Sequence, residues 1–231
     1  MIEGAPRPVK PRRAKTLTTA YQIGIFRGVP RLALPRCLLC DEAGESPGVC
    51  DTCARLLEPP AAFWLEPGLP VTSAFAYRFP LDHLVHRFKF SGDMAAGRWL
   101  AASLADAVLA QPRPDLLLPA PSSSRRLRER GFDPALLLAR WVGKRTGCAV
   151  EPHALAKRLH TRAQTSLTRE ARSQNLSGAF TSKRSLAGLR VAVVDDVVTT
   201  GATQRALAAC ARQAGAREVV AWAVAMTPAP S

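Results

Sequence analysis

The stretch Val191-Ala-Val-Val-Asp195-Asp196-Val-Val-Thr199-Thr200-Gly201-Ala202-Thr203 constrains this 231-residue chain more than any other. An apolar run of the kind a buried parallel strand shows, Val191 to Val194, delivers two acids and passes straight into hydroxyl and glycine residues that precede a helix. Ligands of open α/β sheets bind beyond the carboxyl ends of the strands, so the order strand, acids, turn, helix places Asp195 and Asp196 at a binding edge. The turn lies at a helix N-terminus, where free N–H groups and the positive end of the dipole suit a phosphate dianion. Thr199, Thr200 and Thr203 add hydroxyl donors, and Gly201 lets the backbone approach the anion without a Cβ in the way. With Ala202 they form the expected phosphate-binding set. Two carboxylates beside a phosphate repel it unless a sugar hydroxyl pair or a hydrated Mg2+ comes between them. The expected ligand is therefore a ribose with a phosphate at one end. The plainer reading, in which the acids only end a strand and cap a helix, is weakened by the threonines and glycine that follow. Neither G-x-x-x-x-G-K-[ST] nor a strand-linked G-x-G-x-x-G occurs.

The rest of the chain fits an α/β fold with a mostly parallel sheet flanked by helices. Val71 to Phe79 reads as a strand, Leu81 to Phe90 as a short helix, and Met94 to Ala110 as an Ala-rich helix ended by Pro112 and Pro114. Leu116 to Leu118 reads as a buried strand and Pro134 to Arg145 as a helix. Thr203 to Ala214 reads as a helix closed by Gly215, and Val219 to Val224 as a buried strand. The longest uninterrupted apolar run, Val219 to Met226, falls far short of the roughly 20 residues of a membrane span. Residues 1–20 lack the apolar stretch of a secretory signal, so a cytoplasmic protein without membrane contact is expected.

Four of the six cysteines form Cys37-x2-Cys40-x9-Cys50-x2-Cys53. Each pair can take two corners of a tetrahedron, and the two together close a structural Zn2+ site with no open position. Two disulfides are the alternative, which a cytoplasmic compartment disfavours. Cys148 and Cys210 stand singly among apolar residues and read as small buried hydrophobes. Residues 1–36 then form a basic arm, 37–70 the cysteine module with a Pro/Gly-rich exit linker from Pro59 to Pro70, and 71–231 the core. The net charge of +14 is local: residues 1–36 and 157–190 each hold eight Lys/Arg against one Glu, and everything else sums to zero. Residues 157–190 are expected to form an ordered but mobile flap rather than a sheet element.

The Val191–Thr203 segment resembles the phosphoribosyl-diphosphate (PRPP) motif of type I phosphoribosyltransferases, and the whole arrangement resembles the competence-protein ComF (GntX-like) family. That family joins a four-Cys zinc module to such a core. Leu118-Pro119-Ala120-Pro121 resembles its diphosphate loop, and Arg125 to Phe132 its basic stretch. Arg158-x2-Thr161-x2-Gln164-x2-Leu167, with Arg169, Arg172 and Asn175, resembles its flap signature. Where the family continues Arg-Gly-Phe with Asn-Gln, Asp133-Pro134 stands here, with Pro134 suited to a first helical turn. Lys89 resembles a family position near the active site, although helix capping also accounts for it.

The resemblance implies PRPP and Mg2+ at the acidic turn, with Asp195 and Asp196 as catalytic residues. It implies diphosphate contacts from Ala120, Arg126 and Arg130, which share a face if that stretch is helical, and a flap bearing Arg162, Gln164, Arg169 and Arg172. Two functions follow. One is a phosphoribosyltransferase linked to DNA uptake whose acceptor no motif encodes. The other is a PRPP-sensing module that contacts single-stranded DNA or DNA-uptake proteins. Against strong single-strand binding stands an aromatic content of 6%, since stacking platforms need exposed rings.

Overall fold

A computed structural model describes residues 34–44, 47–60, 63–158 and 179–228. Most of the expected basic arm lies outside the described residues, as do Arg162, Gln164, Arg169 and Arg172.

The apolar runs assemble into one six-stranded sheet. In chain order the elements are α1 (Asp51–Ala54), β1 (Phe63–Glu66), β2 (Leu69–Ala76), α2 (Leu81–Ser91), α3 (Met94–Val108), β3 (Leu116–Pro119) and α4 (Ser124–Arg130). There follow α5 (Pro134–Thr146), β4 (Ala149–Val150), β5 (Leu155–Lys157), β6 (Phe180–Ser182), β7 (Arg190–Val198), α6 (Ala202–Gln213) and β8 (Glu218–Met226). The sheet order is β1, β2, β8, β7, β3, β4. All neighbours are parallel except β1, which joins β2 as an antiparallel edge. The protein is therefore α/β with a mostly parallel sheet, as its alternating pattern predicts.

Side chains alternate across a strand, and β7 shows what that does here. Ala192 and Val194 pack in one apolar layer with Leu84 and Phe88 of α2, Leu100 and Leu104 of α3, and Leu138 and Val142 of α5. Val191 and Val193 pack in the other with Leu207, Ala208 and Ala211 of α6. The helices after β3 and β7 thus cover opposite faces although the two strands are neighbours. Such a divergence opens a crevice at the strands' carboxyl ends, where open α/β sheets take their ligands.

Four expectations change. Residues 63–66, expected as linker, are the edge strand β1, and the following strand spans 69–76 rather than 71–79. The strand expected at 191–194 continues to Val198, because Asp195, Val197 and Val198 keep register with Ala223, Ala225 and Met226 of β8. The two acids therefore sit inside the strand. The ends of the expected flap are sheet after all: Lys157 and Phe180 pair across the small antiparallel sheet β5–β6. Among the described residues, no helix is long and apolar enough to cross a membrane.

Candidate functional site

Asp195 and Asp196 are adjacent in an extended strand, so their side chains leave it on opposite faces and meet different helices. On the α2 side, Lys89 Nζ lies 2.9 Å from Asp196 Oδ1, with both side chains mostly buried. On the α6 side, Gln204 Nε2 donates to Asp195 Oδ2 at 3.0 Å. The backbone completes the cradle: the Asp196 N–H donates to Asp195 Oδ1 at 2.9 Å, and the Val197 N–H to Asp196 Oδ1 at 2.7 Å. The Asp195 carboxyl is pushed up to about 8, first by burial and next by the charge of Asp196, while the Asp196 N–H and Lys89 pull it down.

The turn after β7 leads directly into the N-terminus of α6. Gly201 takes the left-handed conformation at φ 73° and serves as N-cap of α6. Arg205 makes the first helical bond, from its N–H to the Gly201 carbonyl at 2.9 Å, which leaves the preceding amides at the open end of the helix. The Thr200 hydroxyl accepts from the Ala202 N–H at 3.4 Å. A cavity of about 50 Å³ is lined by Asp195 and the run Val197–Gln204, so one of the expected acids meets the turn residues there, while Asp196 is not part of that lining. Packing and backbone conformation also call for glycine at 201: its φ is positive, and a Cβ there would run into the Leu65 side chain. The Arg205 side chain locks the same junction, donating to the carbonyls of Thr200 at 2.8 Å and Leu65 at 3.3 Å.

Across the crevice stand the β3 turn and α4. Ala120, expected to contact diphosphate, gives its N–H to the Val194 carbonyl at 2.8 Å, so that amide is spent on the sheet. The basic stretch is helical, with Ser123 as N-cap accepting from the Arg126 N–H at 3.3 Å. Arg130 lies over the Phe90 ring, 4.7 Å from its centroid. Lys157 has its pKa lowered by burial and by Arg126, with Asp195 acting in opposition. Lys157 thus senses the charges of both Arg126 and Asp195. Asp133, where the family has Asn, caps α5 by accepting from the Leu136 N–H at 3.3 Å, with Pro134 in the first turn. Its departure from the family pattern is explained by helix initiation.

The four cysteine Sγ atoms lie within 4.8 Å of one another. Cys40 and Cys50 Sγ are 3.8 Å apart, the edge of a tetrahedron with Zn–S bonds of about 2.3 Å and far from a covalent S–S bond of about 2.0 Å. The donor set fits structural zinc. Burial opposes ionisation of Cys37, but N–H groups of Cys40, Cys50 and Leu39 bring its thiol down to about 6. The knuckle docks on the core: Arg87 of α2 donates to the Leu38 carbonyl and pairs with Asp93, and Gly48 lies against Trp99. Cys148 and Cys210 are buried among apolar side chains, as read from the sequence.

Lys89 and Gln204 are what sequence reasoning left unresolved or missed. Lys89, which the sequence leaves open between a helix cap and a site residue, pairs with Asp196. The signal for Gln204 was a polar residue on the apolar stripe it shares with Leu207, Ala208 and Ala211.

No family model matches the chain. DNA utilization protein YhgH of Salmonella typhi is 32% identical over 211 residues, spanning 88% of this chain and 91% of that protein. Competence protein F of Haemophilus influenzae is 33% identical over 158 residues, 64% of this chain and 69% of that one. Among solved structures, the glutamine phosphoribosylpyrophosphate amidotransferase of Bacillus subtilis shares 20% identity at a TM-score of 0.43, over 61% of this chain and 30% of its own.

Proposed function

The chain belongs to the family of DNA utilization protein YhgH and competence protein F, and on that premise we propose that its core binds PRPP and transfers the phosphoribosyl group to an acceptor, in the service of DNA uptake. One observation carries the reading: adjacent acids at the carboxyl end of β7 each have a dedicated side-chain partner, Lys89 for Asp196 and Gln204 for Asp195, and Asp195 lines a cavity with the turn that opens α6. A sheet needs no such pair for stability, and burying it is unfavourable.

In this reading the 5-phosphate takes the amides and hydroxyls of Thr199–Thr203, and the ribose hydroxyls reach Asp195 and Asp196. Lys89 offsets the acids' charge so that an anionic ligand is tolerated beside them. Arg126 faces the diphosphate, with Arg130 supporting from its perch on Phe90. The bond from the anomeric carbon to diphosphate breaks with its electron pair leaving on diphosphate, and the acceptor's lone pair forms the new bond. Donors aimed at the departing group lower that barrier. The carboxylates and threonine hydroxyls form the hard-oxygen environment Mg2+ prefers, and Asp195 and Asp196 would hold it through its waters. An Mg2+ held there would supply positive charge to offset that of the departing diphosphate. Cys37, Cys40, Cys50 and Cys53 hold a structural Zn2+.

Calorimetric titration with PRPP, with and without Mg2+, tests the site on wild type and on Asp195→Asn/Asp196→Asn. Mg2+-dependent binding that disappears in the variant is expected; equal binding by both removes the assignment. A second reading is a non-catalytic PRPP sensor that handles single-stranded DNA; of it, the relatives' names touch only DNA utilization and competence. Diphosphate release across a panel of bases and amines separates the two: release with any acceptor identifies a transferase, and binding without release a sensor.

A further inference from the structure

We infer that Gln204 is a positioning residue: it aims Asp195 at a sugar hydroxyl and thereby makes the site discriminate ribose from deoxyribose phosphates. The inference rests on the sugar-phosphate reading above and adds a specificity element to it.

Gln204 occupies a core slot. It is 1% exposed, and its stripe mates on α6, Leu207, Ala208 and Ala211, are fully buried. Its Oε1 is buried with no hydrogen-bond partner among the described residues. An aliphatic side chain of similar length would fill the slot without stranding that acceptor, so packing alone argues against glutamine here. Among the described residues the amide's one polar bond is the 3.0 Å donation to Asp195 Oδ2, and both residues line the same cavity. Asp195 Oδ1 is held separately by the Asp196 N–H. Two donors on two different oxygens fix the plane of the carboxyl group, and each oxygen keeps one lone pair for a further partner. Without Gln204 the group is held at one oxygen only and can turn about its terminal bond, a soft torsion. A fixed polar group that pairs with a hydroxyl rejects analogues lacking it, because it is then left unpaired in the closed site. A turning group finds another partner and loses that discrimination.

The test uses calorimetry with ribose 5-phosphate, 2-deoxyribose 5-phosphate and 3-deoxyribose 5-phosphate on the wild-type chain and on Gln204→Leu. Wild type is expected to prefer ribose 5-phosphate over at least one deoxy sugar by about tenfold or more. Gln204→Leu should keep its affinity for the deoxy sugars and lose most of that preference. A folded Gln204→Leu that retains the full preference overturns the inference. Gln204→Met, which fills the slot with a more adaptable side chain, takes its place if the leucine variant does not fold. If the wild type binds none of the sugars, the sugar-phosphate reading has failed. Gln204 is then judged by crystal structures of wild type and Gln204→Met: an Asp195 carboxyl turned from its wild-type plane supports the positioning role, and an unmoved one overturns it.

Discussion

At the scale of single residues, the acidic pair sets the pH response of the fold. Asp195 has an ordinary value of 3.8 raised to about 8 by burial and by Asp196. The native state therefore holds this proton more tightly than the unfolded chain, and the resulting stability, full below about pH 4, is lost as pH rises through about 8. Thermal melts across that window should show wild type falling by several degrees while Asp195→Asn stays level. Lys89→Met leaves Asp196 mostly buried without its cation and is expected to destabilise by about 2 kcal/mol, read by urea unfolding at neutral pH. Gly201 has a positive φ and sits against Leu65, so Gly201→Ala should cost about 2 kcal/mol. Added to Leu65→Ala, which empties the clashing space, it should cost less than the sum of the two, as a double-mutant cycle can measure.

At the scale of elements, the contact of α2 with α3 and α5 is the tightest helix junction that a glycine reveals. A Cβ on Gly97 of α3 would clash with the Phe88 ring and lie 3.0 Å from Trp141. Gly97→Ala, despite its better helix propensity, is expected to destabilise by about 2 kcal/mol in chemical denaturation. Helices here were legible because each begins or ends on local chemistry: Asp93 caps α3 by accepting from the Ala95 and Ala96 N–H groups, and Pro134 opens α5. The strands β7 and β8 were legible as apolar runs, but their carboxyl ends were not. Polar Asp195 and Asp196 look like the close of a strand when read alone, and only the ladder to Ala223, Ala225 and Met226 carries the extended backbone past them. The edge strand β1 was hidden for a related reason, since four residues among prolines and glycines carry too little pattern to oppose a linker reading. The site was legible in its acids and its turn. Lys89 and Gln204 come from α2 and α6 and meet the acids only once the sheet has put those helices on opposite faces.

At the scale of the whole molecule, two apolar layers and a cysteine knuckle share one sheet. Metal analysis of the folded, reduced protein is expected to give about one Zn per chain, and Cys53→Ser, which removes a buried ligand, should lose the metal and lower the melting temperature. The knuckle is joined to the core through Arg87, two positions before Lys89 on α2. One helix therefore grips the cysteine cluster with one side chain and steadies Asp196 with another. An oxidant or chelator that never enters the crevice is expected to weaken sugar-phosphate capture severalfold by loosening this shared strut, so that thiol damage at the periphery would be felt as lost grip at the centre.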